Sequence, residues 1–347
     1  MTQFGDSLML IDGALVPSDG GEWIESVNPA NEKVIGRAPA GTASDVDRAY
    51  AAAAKAQPDW AALSIWERAG YLHKLAAAIE ARGPEILKLE ASDTGNTIGA
   101  LGGDIVISAA LLRYIAGLGA DTEGVKEPAP APENIHFSLR QPYGVVARIV
   151  PFNHPFMFSA AHITTPIMAG NTVILKTPET SPLSGGILAE ICREVLPPGV
   201  VNIVSGYGLP VGDRLARHPH IRRIGFTGSV GTGLAIQRSA AEVAVKNITL
   251  ELGGKNAMIV FPDADPEEVT RHCVEGMNFS WAGQSCGSVS RLMVHESLYD
   301  DVIARVEAKV SALKLGDPLD PSTEMGPVNN KGHYDRILSF LASAKSE

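Results

Sequence analysis

At 347 residues the chain predicts about two domains and a sizeable buried core. Hydrophobic residues make up 45% and charged residues 20%, which excludes an intrinsically disordered chain. Lys plus Arg number 29 against 39 Asp plus Glu, a formal net charge of −10 with no basic run, so neither nucleic acid nor an anionic membrane is expected as a partner.

The opening MTQFGDSLMLIDGALV has no basic n-region and a short apolar stretch broken by Asp12 and Gly13. The expectation is therefore no signal or transit peptide and a cytoplasmic chain. No window approaches the ~18 uninterrupted apolar residues of a membrane span. The three cysteines, Cys192, Cys273 and Cys286, show no pairing pattern, which suits a reducing compartment.

SDVDRAYAAAAKAQPDW reads as a helix opening at Ser44. WERAGYLHKLAAAIEARG reads as a second, with Trp66, Leu72, Leu75 and Ile79 on one face and a stop at Gly83. Residues 127–134, EPAPAPEN, form a Pro-rich connector, and IHFSLRQPYGVVARIV predicts strands around a Pro142-Tyr143-Gly144 turn. From about 145 short apolar strands alternate with amphipathic helices: VVARIV, NTVILK, PLSGGILAEICREVL, VVNIVSG, VGDRLARH, IRRIGFTG, KNITLEL. That rhythm predicts a doubly wound α/β fold, a parallel sheet covered on both faces with ligands at the carboxyl ends of its strands. A second unit begins near 252, with NAMIVF and SRLMVH as strands and PEEVTRHCVEGMNF and SLYDDVIARVEAKVSAL as helices.

Several residues at strand ends are suited to chemistry, and each also has an ordinary reading. The loop FTGSVGTG, with Gly228, Ser229, Gly231 and Gly233, suits a phosphate at a helix N-terminus, or it is simply a turn. Cys286, in AGQSCGSVSR, is placed to be an exposed nucleophile, or it is a packed thiol; Cys192 and Cys273, among Ile, Leu and Val in helical patterns, read as core. Glu251 ends a strand before Gly253 and Gly254, as a general base or a solvated carboxylate. Asn153, in PFNHPF, is an oxyanion donor or a turn residue before Pro155. No metal-ligand set is evident.

Taken in order, PFNHP (151–155), AGNTVILKTPETSPLS (169–184), FTGSVGTG (226–233), LELGGKN (250–256) and GQSCGSVSR (283–291) resemble the NAD(P)-dependent aldehyde dehydrogenase superfamily. The likeness runs from NPANEKVIGRAPAG (28–41) to LGDPLDPSTEMGP (315–327). It implies a Rossmann-like coenzyme domain from residues 1–132 and 150–251, a β-hairpin oligomerisation arm at 133–149, and a second α/β catalytic domain at 252–347. It further implies oxidation of an aldehyde to a carboxylic acid. Cys286 would form a thiohemiacetal and then a thioester, Asn153 would hold the oxyanion and Glu251 would be the base for hydrolysis. Lys176 and Glu179 fall at the adenosine ribose, Gly228 and Ser229 at the pyrophosphate, and Gly233 and Gly253 in the same coenzyme-binding loops; Glu179 favours NAD over NADP. Family members form homo-oligomers.

The chain departs from the family in two ways. His162 stands where a lysine is usual near the base, and the chain ends at ASAKSE without the family's glutamate-phenylalanine-glycine-proline segment. The resemblance thus implies a C-terminally truncated member with an incomplete catalytic domain, whose activity alone is expected to be weak or absent. The alternative is a non-catalytic, truncated NAD-binding remnant; a thiol esterase using Cys286 is disfavoured by Lys176 and Glu179. By family position the substrate entrance includes His154, Phe158, Ala161, Ser285 and Gly287, which suits a fairly bulky aldehyde.

Overall fold

In the computed structural model, which describes residues 3–122, 126–127, 131 and 133–347, the chain opens with five short strands. They are β1 (Gly5–Asp6), β2 (Met9–Ile11), β3 (Ala14–Val16), β4 (Trp23–Asn28) and β5 (Lys33–Pro39). Four helices follow: α1 (Ala43–Ala62), α2 (Ile65–Ala81), α3 (Gly83–Thr94) and α4 (Ile98–Leu118). The strands were not legible as a pattern because β1, β2 and β3 are only two or three residues long, too short for alternation to register.

The expected start of the first helix moves by two residues. Thr42, not Ser44, is its N-cap: the Thr42 hydroxyl accepts from the Asp45 N–H at 3.3 Å while the Asp45 carboxylate accepts from the Thr42 N–H at 2.9 Å. The expected face of α2 is corrected at one position. Leu72, Leu75 and Ile79 are buried, but Trp66 is 71% exposed, because it lies in the first turn, off the stripe that meets α4. α4 is long and apolar enough to cross a membrane, yet its Ile105, Ala109, Leu112 and Ala116 pack into the protein core.

After β6 (Lys126–Glu127) and β7 (His136–Phe137) come β8 (Val145–Ile149), α5 (Pro155–Met168), β9 (Thr172–Lys176), α6 (Ser184–Val195), β10 (Val201–Val204), α7 (Asp213–Arg217), β11 (Arg223–Thr227), α8 (Val230–Ala241) and β12 (Asn247–Glu251). The expected hairpin about Pro142-Tyr143-Gly144 is not formed. β7 pairs antiparallel with β6, while β8 lies inside the large sheet between β11 and β9. The arm at 133–149 therefore ends before Val145. Val145, Val146, Ala147 and Ile149 are all buried, and a strand apolar on both faces belongs in the middle of a covered sheet. Residues 128–130 and 132 of the Pro-rich connector, and 123–125 before it, lie outside the described residues.

The large sheet runs β12-β11-β8-β9-β10-β2-β3, parallel from β12 to β10 and antiparallel beyond, so its doubly wound part is as expected. One apolar core, with α2 to α6, covers one face, and a second, with α1, α7 and α8, covers the other. The chain goes outward from β8 through β9 and β10, then returns to β8's other side for β11 and β12. A crevice consequently opens at the carboxyl edge between β8 and β11, where such sheets bind ligands.

The second unit has β13 (Asn256–Val260), α9 (Pro266–Gly276), β14 (Val289–Val294), α10 (Tyr299–Ser311) and α11 (Lys331–Ser346), with β13 and β14 parallel. Ile259 and Met293 on this two-stranded sheet are 64% and 51% exposed. The unit is tied to the first at the end of α3: Thr97 N–H donates to the Ser280 carbonyl at 3.1 Å and Ile98 N–H to the Pro318 carbonyl at 2.9 Å. Gly326 packs directly on the Gly95 carbonyl, which a Cβ would strike.

Candidate active site at the carboxyl edge of the sheet

Asn153 follows β8, Lys176 ends β9, Gly228 and Ser229 follow β11, and Glu251 ends β12. The sheet register thus gathers at one edge residues that lie as much as 98 positions apart in the chain. Glu251 and Thr227 are register partners, and the Gly228 N–H donates to the Glu251 carbonyl at 3.0 Å. Ser229 caps α8, its hydroxyl accepting from the Thr232 N–H at 3.2 Å, which turns the free N–H groups of that helix toward the crevice. A Cβ on Gly228 would sit 2.5 Å from the Phe226 ring, and one on Gly233 3.2 Å from Leu252 Cδ2, so glycine lets the loop and α8 lie close to the sheet.

Cys286 comes from the second unit, in the turn between α9 and β14. Ala282 and Gly283 reverse the chain with positive φ of 52° and 70°. Asn256 Nδ2 then donates to the Cys286 carbonyl at 2.6 Å and to the Ser288 carbonyl at 3.0 Å, holding the loop against the start of β13. The Cys286 thiol is raised above its ordinary pKa, first by burial and then by the negative charge and hydrogen-bond acceptance of Glu251; the N–H groups of Cys286 and Gly287 pull the other way. The nucleophile and base expected from the sequence are therefore in contact. Cys192 and Cys273 are buried, and burial pushes the Cys192 thiol up to about 12, so both are core residues.

Asn153 faces the same loop. Its Nδ2 donates one hydrogen to the Gln284 carbonyl at 2.8 Å, and its Oδ1 is buried without a partner. Gln284 in turn accepts from the Asn329 N–H at 3.1 Å, and Asn329 Nδ2 reaches the Asp93 and Thr94 carbonyls at the end of α3. Next to Asn153, the His154 ring lies 4.8 Å from Trp281 and its Nδ1 is 2.8 Å from Asp104 Oδ2. Asn256, Gln284, Asn329, Trp281 and Asp104 were not anticipated. Only the runs LELGGKN and GQSCGSVSR, which contain Asn256 and Gln284, carried any signal for them.

Lys176 is buried at the end of β9, its Nζ donating to the Thr177 carbonyl at 3.1 Å and to Glu179 Oε2 at 3.0 Å. Burial lowers its pKa against the opposing pull of Glu179. Gly253 has open space around it. His162 lies edge-on to Phe158, 5.4 Å between ring centres, and burial with the nearby Arg148 charge lowers it to about 4. It is a neutral ring at pH 7.

The aldehyde dehydrogenase family model matches residues 15–347. The chain belongs to that family. Aldehyde dehydrogenase tropH of Talaromyces stipitatus is 44% identical over 326 residues, covering 93% of this chain and 63% of tropH. The crystal structure of PnpE from Pseudomonas sp. WBC-3 superposes with a TM-score of 0.94 at 40% identity, covering 98% of this chain and 69% of PnpE; PnpE has also been solved in complex with nicotinamide adenine dinucleotide. An NADP-dependent enzyme of E. coli superposes with a TM-score of 0.95 at 30% identity, over 98% of this chain and 71% of that one. The chain thus spans about two thirds of the length of these relatives, one of which has been solved with NAD and another of which is NADP dependent.

Proposed function

We propose that the chain oxidises an aldehyde to a carboxylic acid through a covalent bond to Cys286, with NAD as coenzyme. The observation that carries this reading is the contact of the Cys286 thiol with the Glu251 carboxylate at the carboxyl edge of the sheet. Glu251 takes the thiol proton and the sulfur forms a C–S bond to the aldehyde carbon, leaving an oxyanion. The main-chain N–H groups beside the sulfur and the uncommitted hydrogen of the Asn153 amide are the donors at hand for that charge. Once Glu251 has passed that proton to solvent and the carbon, its hydride given up, is at the oxidation level of a thioester, Glu251 deprotonates the water that adds to the carbon; the C–S bond breaks to release the acid, and the proton held by Glu251 restores the thiol.

The coenzyme would be held by Lys176 and Glu179 at the adenosine ribose, by Gly228, Ser229 and the first turn of α8 at the pyrophosphate, and beside Gly253 at the nicotinamide. The fit is supported by the free helix terminus at Ser229 and by the open space at Gly231 and Gly253. When bound, it supplies the two-electron acceptor that these side chains lack. Glu179 favours NAD, since its carboxylate accepts from ribose hydroxyls and repels a 2′-phosphate, and Lys176 is already committed to it.

The test is NADH formation with a panel of aldehydes by the chain and by Cys286→Ala. The parent is expected to form NADH and the variant none. Equal turnover by both would remove Cys286 from the chemistry; NAD binding without NADH from either would leave a nucleotide-binding chain.

A further inference from the structure

Arg148 is a cation that the proposed reaction does not use. Val145, Ala147 and Ile149 of β8 point into the second core, so Arg148 projects from the opposite face. By the same alternation, with Ile224 and Phe226 of β11 and Ile248 and Leu250 of β12 on the second core, that face also carries Gly225, Thr227, Thr249 and Glu251. Gly225 is the register partner of Arg148 on one side and of Thr249 on the other. The Arg148 side chain passes over it, where any Cβ would collide with Nη1 and approach Cζ to 2.9 Å. The side chain therefore crosses β11 toward β12, the strand that ends in Glu251.

No carboxylate meets this cation among the described residues. Arg148 Nε, His162 Nδ1 and Thr227 Oγ1 are each buried without a hydrogen-bond partner, and the nearby Arg223 is committed to Asn247 Oδ1. Unmet donors on a largely buried guanidinium call for an acceptor, and a planar carboxylate matches its fork. Burial and the charge of Arg223 lower Arg148 to about 10, so it is a cation at neutral pH. His162, neutral, adds a polar nitrogen and no competing charge.

We propose that Arg148, with Thr227 and His162 beside it, is an anion pocket for the distal carboxylate of an ω-oxo acid whose aldehyde reaches Cys286. Glu251 is two residues further along the sheet and about one strand across from the guanidinium. Strand rise and spacing then put the two roughly 8 Å apart, a span of about five or six carbons. The inference rests on Cys286 as the reacting centre, and its test includes a measurement that needs no turnover.

Glutarate serves as a carboxylate probe in calorimetry with the intact chain, beside NAD binding as a check of fold. Glutarate is expected to bind, at least about 10-fold more weakly in Arg148→Leu, and to an intermediate degree in Arg148→Lys, which keeps the charge without the fork. In turnover, the preference in kcat/KM for 5-oxopentanoate over pentanal is expected to fall by a similar factor. Absence of glutarate binding in the parent, or equal binding by Arg148→Leu, overturns the pocket. If Arg148→Leu does not fold, Arg148→Lys and Thr227→Val carry the same comparison. Glutarate binding that depends on Arg148 in a chain showing no turnover would retain the pocket and count against the assignment of Cys286.

Discussion

The Cys286 thiol and the Glu251 carboxylate influence each other because one carries a proton the other can accept. Burial and the adjacent negative charge both favour the neutral thiol, so the Cys286 thiol is protonated at neutral pH and gains reactivity as pH rises. Glu251→Gln removes the negative charge that disfavours the thiolate. The pH midpoint for alkylation of Cys286 by iodoacetamide is therefore expected to move to lower pH in that variant, although the same change removes the proposed base for hydrolysis. An unmoved midpoint would mean that the carboxylate does not act on the sulfur in solution.

The loop between α9 and β14 that carries Cys286 has little apolar anchorage and is held by amide side chains. Asn256, at the first position of β13, bonds two of its carbonyls, and Asn153 after β8 bonds a third. Asn256 belongs to a regular strand and Asn153 to the short link between β8 and α5, so regular elements position a loop whose own regular structure is one 3-10 turn at Phe279–Trp281. Asn256→Ala is expected to lower kcat by about 10- to 100-fold through misplacement of the sulfur, with the Kd for NAD little changed because α8 and β9 are untouched. Parallel losses of kcat and NAD affinity, measured by steady-state kinetics and calorimetry, would instead point to collapse of the whole edge.

At the scale of the molecule, the join between the units lies over a group of buried acids. Glu90 is raised to about 8 by burial, then by the neighbouring charges of Asp93 and Asp104; Asp93 is raised to about 7 by burial, against the pull of the Ser26 hydroxyl and the Leu183 N–H. In an unfolded chain such carboxyls titrate near 4. Both folded values lie above the unfolded ones, so the folded state holds more protons between them. This contribution is fully present below about pH 4 and is lost as pH rises toward about 8. Thermal melts are expected to show stability falling from pH 5 to pH 8, by something on the order of 2 kcal/mol for Glu90 alone. Glu90→Gln should flatten that slope, and an unchanged slope would show that Glu90 is already ionised in the fold.

The amino-acid sequence by itself determined the doubly wound class, the strand-end positions of Glu251, Asn153, Lys176 and Ser229, and the small-residue turn that holds Cys286. These follow from local pattern: apolar strands of five residues or so, amphipathic helices, and glycines at the turns that join them. Residue spacing also marked Cys192 and Cys273 as core. What the pattern did not contain was partnership. VVARI reads equally well as one arm of a hairpin or as a central strand, and only pairing with β9 and β11 decides between them. Asn256, Gln284 and Asp104 look like ordinary polar residues until the second unit folds back on α3 and β8. Arg148 can lie across β11 only because Gly225 leaves room on the strand between β8 and β12. Such features rest on contacts between distant segments, whose geometry is set by sheet order and by packing of the two units, and neither is encoded in any local run of residues.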